Sequence, residues 1–153
     1  MAHKKTLLHI LMHIGKLLRE EIANRLSPLN LHHGQGRVLV NLKRHGAMTQ
    51  ADLARGMNLK PPTMTTMLKP LIERKLINRE LDPKTNRAVI VGLSEQGLSL
   101  AIEVEKVWAS IESSIINLIP DCEQEQIFGH LEVIRDELGG KGPNFNRKED
   151  NHA

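Results

Sequence analysis

One stretch breaks the helical rhythm of this chain. Ile77 to Leu81 and Ala88 to Leu93 are rich in branched apolar residues and flank Asp82-Pro83-Lys84-Thr85-Asn86-Arg87, a polar turn-former, which together predict a β-hairpin. Both flanks read as helix. Between Lys5 and about Arg25, the residues Leu7, Ile10, Leu11, Ile14, Leu17, Leu18 and Ile22 recur at three-and-four spacing until Ser27-Pro28 ends the pattern. A second helix from about His33 to Arg44 places Val38, Leu39 and Leu42 on one face and stops at Gly46. Two short helices follow. Thr49-Gln50-Ala51-Asp52 is a variant capping box, in which the Thr49 oxygen accepts a backbone N–H and Asp52 reaches back. Pro61 and Pro62 suit the first turn of the next helix, which has Met64, Met67, Leu68, Leu71 and Ile72 as its buried side and runs to about Lys75.

Beyond the hairpin, Ser94 is a good N-cap for a helix predicted to reach about Ile119, roughly 39 Å at 1.5 Å per residue. Its Ala101, Val104, Trp108, Ile111, Ile115 and Leu118 step by three and four, and Ile127, Leu131, Ile134 and Leu138 repeat the rhythm in a last helix. Both have seams for packing on other helices. The tail from Gly139 to Ala153 is Gly, Asn and charge with a single Phe145 and is expected to be disordered.

Composition narrows the classes of function. A chain of 153 residues, 40% apolar, predicts one soluble domain. No apolar run of about 18 residues exists, and His9, His13 and Lys16 interrupt the N-terminal stretch, so neither a membrane span nor a signal peptide is expected and the location reads as cytoplasmic. A lone Cys122 forms no intrachain disulfide and excludes a Cys-rich zinc framework. With 2% aromatic residues, binding of single strands by base stacking is disfavoured, so any nucleic-acid reading is a duplex reading. No nucleophile elbow, phosphate loop, HExxH or dinucleotide fingerprint is present, so neither an enzyme nor a cofactor is expected.

Three helices followed by a hairpin, with a tight turn between the short second and third, is the order of a winged helix-turn-helix. The predicted class is mainly α with a small β-hairpin wing (α+β). In such a unit Asp52 to Met57 would brace the phosphate backbone, Thr63 to Lys69 would face base edges in the major groove, and the hairpin would reach an adjacent groove. Because Met64, Leu68, Leu71 and Ile72 are needed inside, Thr63, Thr65, Thr66 and Lys69 fall outside. Their hydroxyls, methyls and single cation suit base edges, phosphates or a thymine methyl, although three Thr also serve simply to solvate a helix. The net charge of +3 is modest, but its distribution is not. Arg55, Lys60, Lys69, Arg74, Lys75, Arg79, Lys84 and Arg87 crowd the central third against Asp52, Glu73, Glu80 and Asp82, while acidic residues gather in the final helices. That asymmetry is a footprint for phosphate.

Several motifs in order carry a resemblance. Gln35 with Arg37-Val38-Leu39 before Leu42, Thr49-Gln50-Ala51-Asp52-Leu53-Ala54, Pro62-Thr63-Met64-Thr65, Leu76-Ile77-Asn78-Arg79, Asp82-Pro83 through Arg87, and Leu93-Ser94-Glu95-Gln96-Gly97 together resemble the MarR family of bacterial transcriptional regulators, from about Leu7 to Leu138. The resemblance implies a sequence-specific regulator of double-stranded DNA, by family habit a repressor released by a small-molecule signal. It further implies a homodimer in which the first helix and the last two interlock, bound to an inverted repeat with half-sites about one turn apart. The DNA-binding module would span residues 33–93, the dimerisation region 5–32 and 94–138, and the tail 139–153. The implied DNA contacts are Thr49, Gln50, Lys60, Pro61, Thr63, Thr65, Thr66, Lys69, Lys84, Asn86 and Arg87, with Asp82 and Arg79 orienting the wing. Arg87 stands where the family's wing-tip arginine enters the minor groove, whose negative potential attracts a cation without a base-edge code.

The chain also departs from the family pattern. Thr85-Asn86 stands where Asp-Arg or Asp-Lys is common, and Lys75 replaces a common glycine at a position that often needs a left-handed backbone. Pro70 lies inside the reading helix and predicts a kink near Thr66 to Pro70. In the family, effectors enter a crevice between the dimerisation helices and the DNA module, here built partly from the first helix, the start of the second and the start of the long helix. His9 and His13 share a helical face and His32-His33 open the second helix, but a polar edge to a packing stripe outweighs a metal site. Cys122 follows Asp121 at a helix start, where a dipole lowers a thiol pKa, yet an inert cysteine outweighs a redox switch. The rival readings are a winged helix that contacts an acidic protein partner, and a metal- or redox-sensing regulator of the same fold.

Overall fold

The structure is a computed structural model and describes residues 6–143 and 145. Its elements are α1 (Leu7–Leu26), a 3-10 turn (Ser27–Leu29), α2 (His33–His45), β1 (Met48–Thr49), α3 (Gln50–Gly56), α4 (Pro61–Glu73), β2 (Ile77–Leu81), β3 (Val89–Leu93), α5 (Glu95–Ile116) and α6 (Asp121–Glu137). The predicted hairpin is present as β2 and β3, paired antiparallel from Ile77 opposite Leu93 to Leu81 opposite Val89. A third strand joins it that no periodicity could show. β1 has only two residues and pairs with β3 through Met48 opposite Val91 and Thr49 opposite Ile90, which ties the entry to α3 directly to the wing.

Local capping sets most of the boundaries. Thr6, Thr49 and Ser94 each accept a backbone N–H at the start of α1, α3 and α5, from His9, Asp52 and Gly97 at 3.3, 3.1 and 3.0 Å. At α2 the cap is His32, whose Nδ1 accepts from the Gln35 N–H at 3.3 Å while the Gln35 side chain accepts from the His32 N–H at 3.1 Å. That is a reciprocal capping box built on imidazole instead of a hydroxyl. Gly46 ends α2 at φ 79°. α5 stops at Ile116, short of the expected Ile119, because the chain tightens there, with Leu118 and Ile119 donating to the carbonyls three residues back, Ile115 and Ile116. α4 runs through Pro70 without a break. The proline forfeits only one backbone bond, and the buried Leu68 and Leu71 on either side hold the helix to the core.

Leu26, Val38, Leu39, Leu53, Met57, Met64, Leu68, Leu71, Val91 and Val104 form the deepest part of the core, where α2 to α4, the sheet and the first half of α5 converge. The outer helices differ. No described residue of α6 is buried and only Leu26 of α1 is, while Leu7, Leu8, Met12, Leu17, Leu118, Val133 and Leu138 are exposed. The apolar stripes of α1 and α6 therefore face largely outward in the single chain, whereas that of α5 is buried at Ala101, Val104 and Ile111.

The described part of the tail makes contacts with the rest of the chain. After Gly140 N–H returns to the Arg135 carbonyl at 2.9 Å, the carbonyls of Lys141 and Gly142 accept from Asn58 Nδ2 at 3.5 and 3.3 Å. Phe145 then stacks on His45 with ring centroids 4.4 Å apart and planes 12° from parallel. It lies against Gly56, where no side chain obstructs the ring. One aromatic over a glycine-floored surface was enough to dock a segment otherwise too polar to fold. Residues 144 and 146–153 of the expected tail lie outside the described residues.

Candidate nucleic-acid interface

The turn between α3 and α4 is closed by backbone bonds from Met57 to Leu53, from Asn58 to Arg55 and from Leu59 to Ala54, at 3.0, 3.1 and 2.8 Å. Asn58 accommodates it at φ 55°, a conformation asparagine tolerates better than most residues. Leu53, Ala54 and Met57 on one side and Met64 and Leu68 on the other are buried, so the outer surface of α4 is rigidly presented. Lys60, Pro61, Thr63, Thr65, Thr66 and Lys69 are all exposed on it.

The threonine hydroxyls are already engaged. Thr65 Oγ1 donates to the Pro61 carbonyl at 3.1 Å and Thr66 Oγ1 to the Pro62 carbonyl at 3.0 Å, the back-bonding that a helical Thr commonly makes. Gln50, at the start of α3, donates Nε2–H to Thr65 Oγ1 at 2.9 Å and so links the two helices at their exposed surface.

The wing is organised around Asp82. Its backbone N–H donates to Ala88 O and its carbonyl accepts from the Asn86 N–H, both at 2.8 Å. Its carboxylate accepts from the Lys84 N–H at 2.9 Å and from the Thr85 hydroxyl at 3.3 Å. Asn86 turns the tip at φ 52°. Thr85 Oγ1 in turn accepts from the N–H groups of Arg87 and Ala88, each at 3.4 Å, leaving the Lys84 and Arg87 side chains exposed at the tip. Arg79 lies exposed on β2 and makes no bond to Asp82, so the structure does not bring that pair together.

Two cations of the basic third serve the fold instead. Arg74 donates to the carbonyls of Asn30 and Leu29 at 2.7 and 3.1 Å, bracing the end of α4 on the α1–α2 link. Arg55 pairs with Asp52 at 2.6 Å. Sequence counting could not separate these from Lys60, Lys69, Lys75, Arg79, Lys84 and Arg87, which are equally exposed but whose side chains bond to no described residue.

A cleft of about 400 Å³ opens between α1, α2 and α5, lined among others by Ile22, His33, Arg37, Trp108, Glu112 and Pro143. It meets the second half of α5, at Trp108, Ile111, Glu112 and Ile115. Trp108 Nε1 is buried with no hydrogen-bond partner among the described residues. Next to the cleft, Lys43 and Arg44 hold Glu105 of α5 at 2.8 and 3.3 Å, and the hydrogen bond from Lys43 foremost keeps that carboxyl below its ordinary pKa.

The candidate histidines fall into two separate pairs, on α1 and at the start of α2. His9 and His13 face each other on exposed α1 with ring centroids 6.3 Å apart, and the Nδ1 lone pair of His32 is spent on the cap. His33 packs on Trp108 at 5.9 Å, and burial, then the charges of Arg37 and His32, push its pKa down. Among the described residues no three His, Cys, Asp or Glu side chains converge as a metal site. Cys122 is exposed. No helix among the described residues is long and apolar enough to cross a membrane.

Comparison with known proteins completes the description. The profile of the MarR family matches residues 31–89. The chain is 26% identical over 126 residues to the HTH-type transcriptional repressor Rv2887 of Mycobacterium tuberculosis, covering 82% of this chain and 91% of that protein. It is 28% identical over 90 residues to the HTH-type transcriptional repressor MdtR of Bacillus subtilis, covering 59% of this chain and 56% of that one. Among solved structures, the S. aureus MepR–DNA complex superposes with a TM-score of 0.80 at 24% identity over 88% of this chain and 99% of that one. The reduced form of MarR from E. coli superposes with a TM-score of 0.71 at 17% identity, over 86% and 98%. These superpositions carry the fold.

Proposed function

We propose that the chain is a regulator of the MarR family, a cytoplasmic, homodimeric transcriptional repressor that binds an inverted repeat in double-stranded DNA and has no catalytic role. The carrying observation is the joint presentation of the outer surface of α4 and a wing whose tip Asp82 holds in place, with Arg87 exposed at its end. A rigid reading helix and a cationic finger in one unit suit adjacent major and minor grooves. Bound across a promoter, the dimer excludes polymerase. The α1–α2–α5 cleft is the place for an effector, and its Arg37 together with the unpartnered Trp108 N–H suits a small anion that accepts hydrogen bonds.

Selection of sites from a random duplex pool at physiological salt tests this reading. The native protein is expected to enrich an inverted repeat, and Arg87→Ala to bind that repeat more weakly by about 1–3 kcal/mol. Enrichment of no sequence by the native protein would defeat the proposal and favour a winged helix that contacts an acidic partner.

A further inference from the structure

Resting on the duplex-reading role just proposed, we infer that Thr65 reads thymine through its methyl group, and that Gln50 is the positioning residue that makes it do so. A threonine hydroxyl has one proton and two acceptor lone pairs. At Thr65 the proton goes to the Pro61 carbonyl at 3.1 Å and one lone pair takes the Gln50 Nε2–H at 2.9 Å, so the hydroxyl is nearly saturated before any duplex arrives. With Oγ1 turned back along the helix, the methyl is the free end of an exposed side chain on the reading surface. In the major groove the apolar feature it can meet is the C5-methyl of thymine.

Gln50 changes the information the site carries. An untethered Thr hydroxyl donates to or accepts from either kind of base-edge group and is a degenerate reader. Tethered from α3, the same residue becomes selective, while the Gln50 carboxamide oxygen is left as an acceptor beside it. Thr66 is the internal contrast, since its hydroxyl also donates to a backbone carbonyl, Pro62 at 3.0 Å, but receives no bond from α3.

The test uses the full-length dimer and the repeat selected by the native protein, with each thymine replaced singly by deoxyuridine, which removes only the C5-methyl. One symmetric thymine per half-site is expected to cost roughly fourfold in affinity when replaced, and about fifteenfold when both are, the size of one methyl contact. Thr65→Val, which keeps the methyl and loses the hydroxyl, is expected to retain that penalty. Thr65→Ser, which does the reverse, is expected to abolish it at that position alone. Gln50→Ala is expected to let other bases into the same position of the selected repeat with the remaining positions unchanged. A thymine penalty that persists in Thr65→Ser, or a native protein indifferent to every replacement, would overturn the inference while leaving the operator and the proposed function standing. A native protein that selects no repeat would overturn both.

Discussion

Gly97 and Ser94 join the wing to the long helix at a point where backbone passes backbone. Ser94 caps α5, donates its hydroxyl to the Lys75 carbonyl at 2.7 Å, and sends its N–H to Leu76 O at 3.0 Å. A Cβ on Gly97 would fall on that same Leu76 carbonyl, which has nowhere to move. Gly97→Ala is therefore expected to destabilise the protein by about 1–3 kcal/mol, read as a lower urea midpoint. Lys75 ends α4 at φ 57°, with Leu76 N–H bonding to Leu71 O and Lys75 N–H to Ile72 O at 2.9 Å each, so the left-handed position is kept although glycine is not. His33 titrates against the fold. Its native pKa lies below the ordinary 6.5, so on acidification the unfolded chain takes up the proton first. Stability is full above pH 6.5 and falls as the pH drops through that value towards the native pKa. In His33→Gln this component of the acid destabilisation is expected to disappear from denaturation midpoints measured across pH 7 to 5.

At the scale of elements, α4 owes its position to contacts from distant chain. Arg74 reaches the Asn30 and Leu29 carbonyls, β1 hydrogen-bonds to β3, and Phe145 seals the flank of α3 from beyond the end of α6. Phe145→Ala is expected to cost about 1–2 kcal/mol of stability, less than a fully buried aromatic because the ring is only half-buried, and thermal denaturation of the two proteins checks it. The helices, hairpin and Thr49 and Ser94 caps were legible because each is written in neighbouring residues. The imidazole cap at His32 was not, since the usual signal is a hydroxyl or short polar side chain.

For the whole molecule, α1 and α6 each carry apolar side chains that the single chain leaves exposed. Leu7, Leu8, Met12 and Leu17 of α1 and Phe128, Leu131 and Val133 of α6 are exposed together with Leu118 and Leu138. In the proposed twofold dimer these side chains would be covered, and each residue counts twice. Leu131→Glu is expected to weaken the dimer by at least about 3 kcal/mol, from two buried leucines lost, shifting sedimentation towards monomer and abolishing binding to the inverted repeat. The basic winged unit and the acidic final helices also differ in charge at this scale, and in the proposed function the former is the part that would face phosphate.

Apolar period, turn chemistry and caps are short-range properties, and they settled which segments became helix or hairpin and that the order was that of a winged helix. Which side chains work at the interface is different in kind. Arg74 and Lys69 look alike in the sequence and both are exposed, yet Arg74 braces a carbonyl 44 residues away while the Lys69 side chain bonds to no described residue. Likewise Thr65 and Thr66 are neighbours of one type, and only the approach of α3 gives Thr65 its bond from Gln50, 15 residues earlier. Spacing along a helix selects a face, whereas hydrogen bonds between remote segments decide what each group on that face still has free to offer.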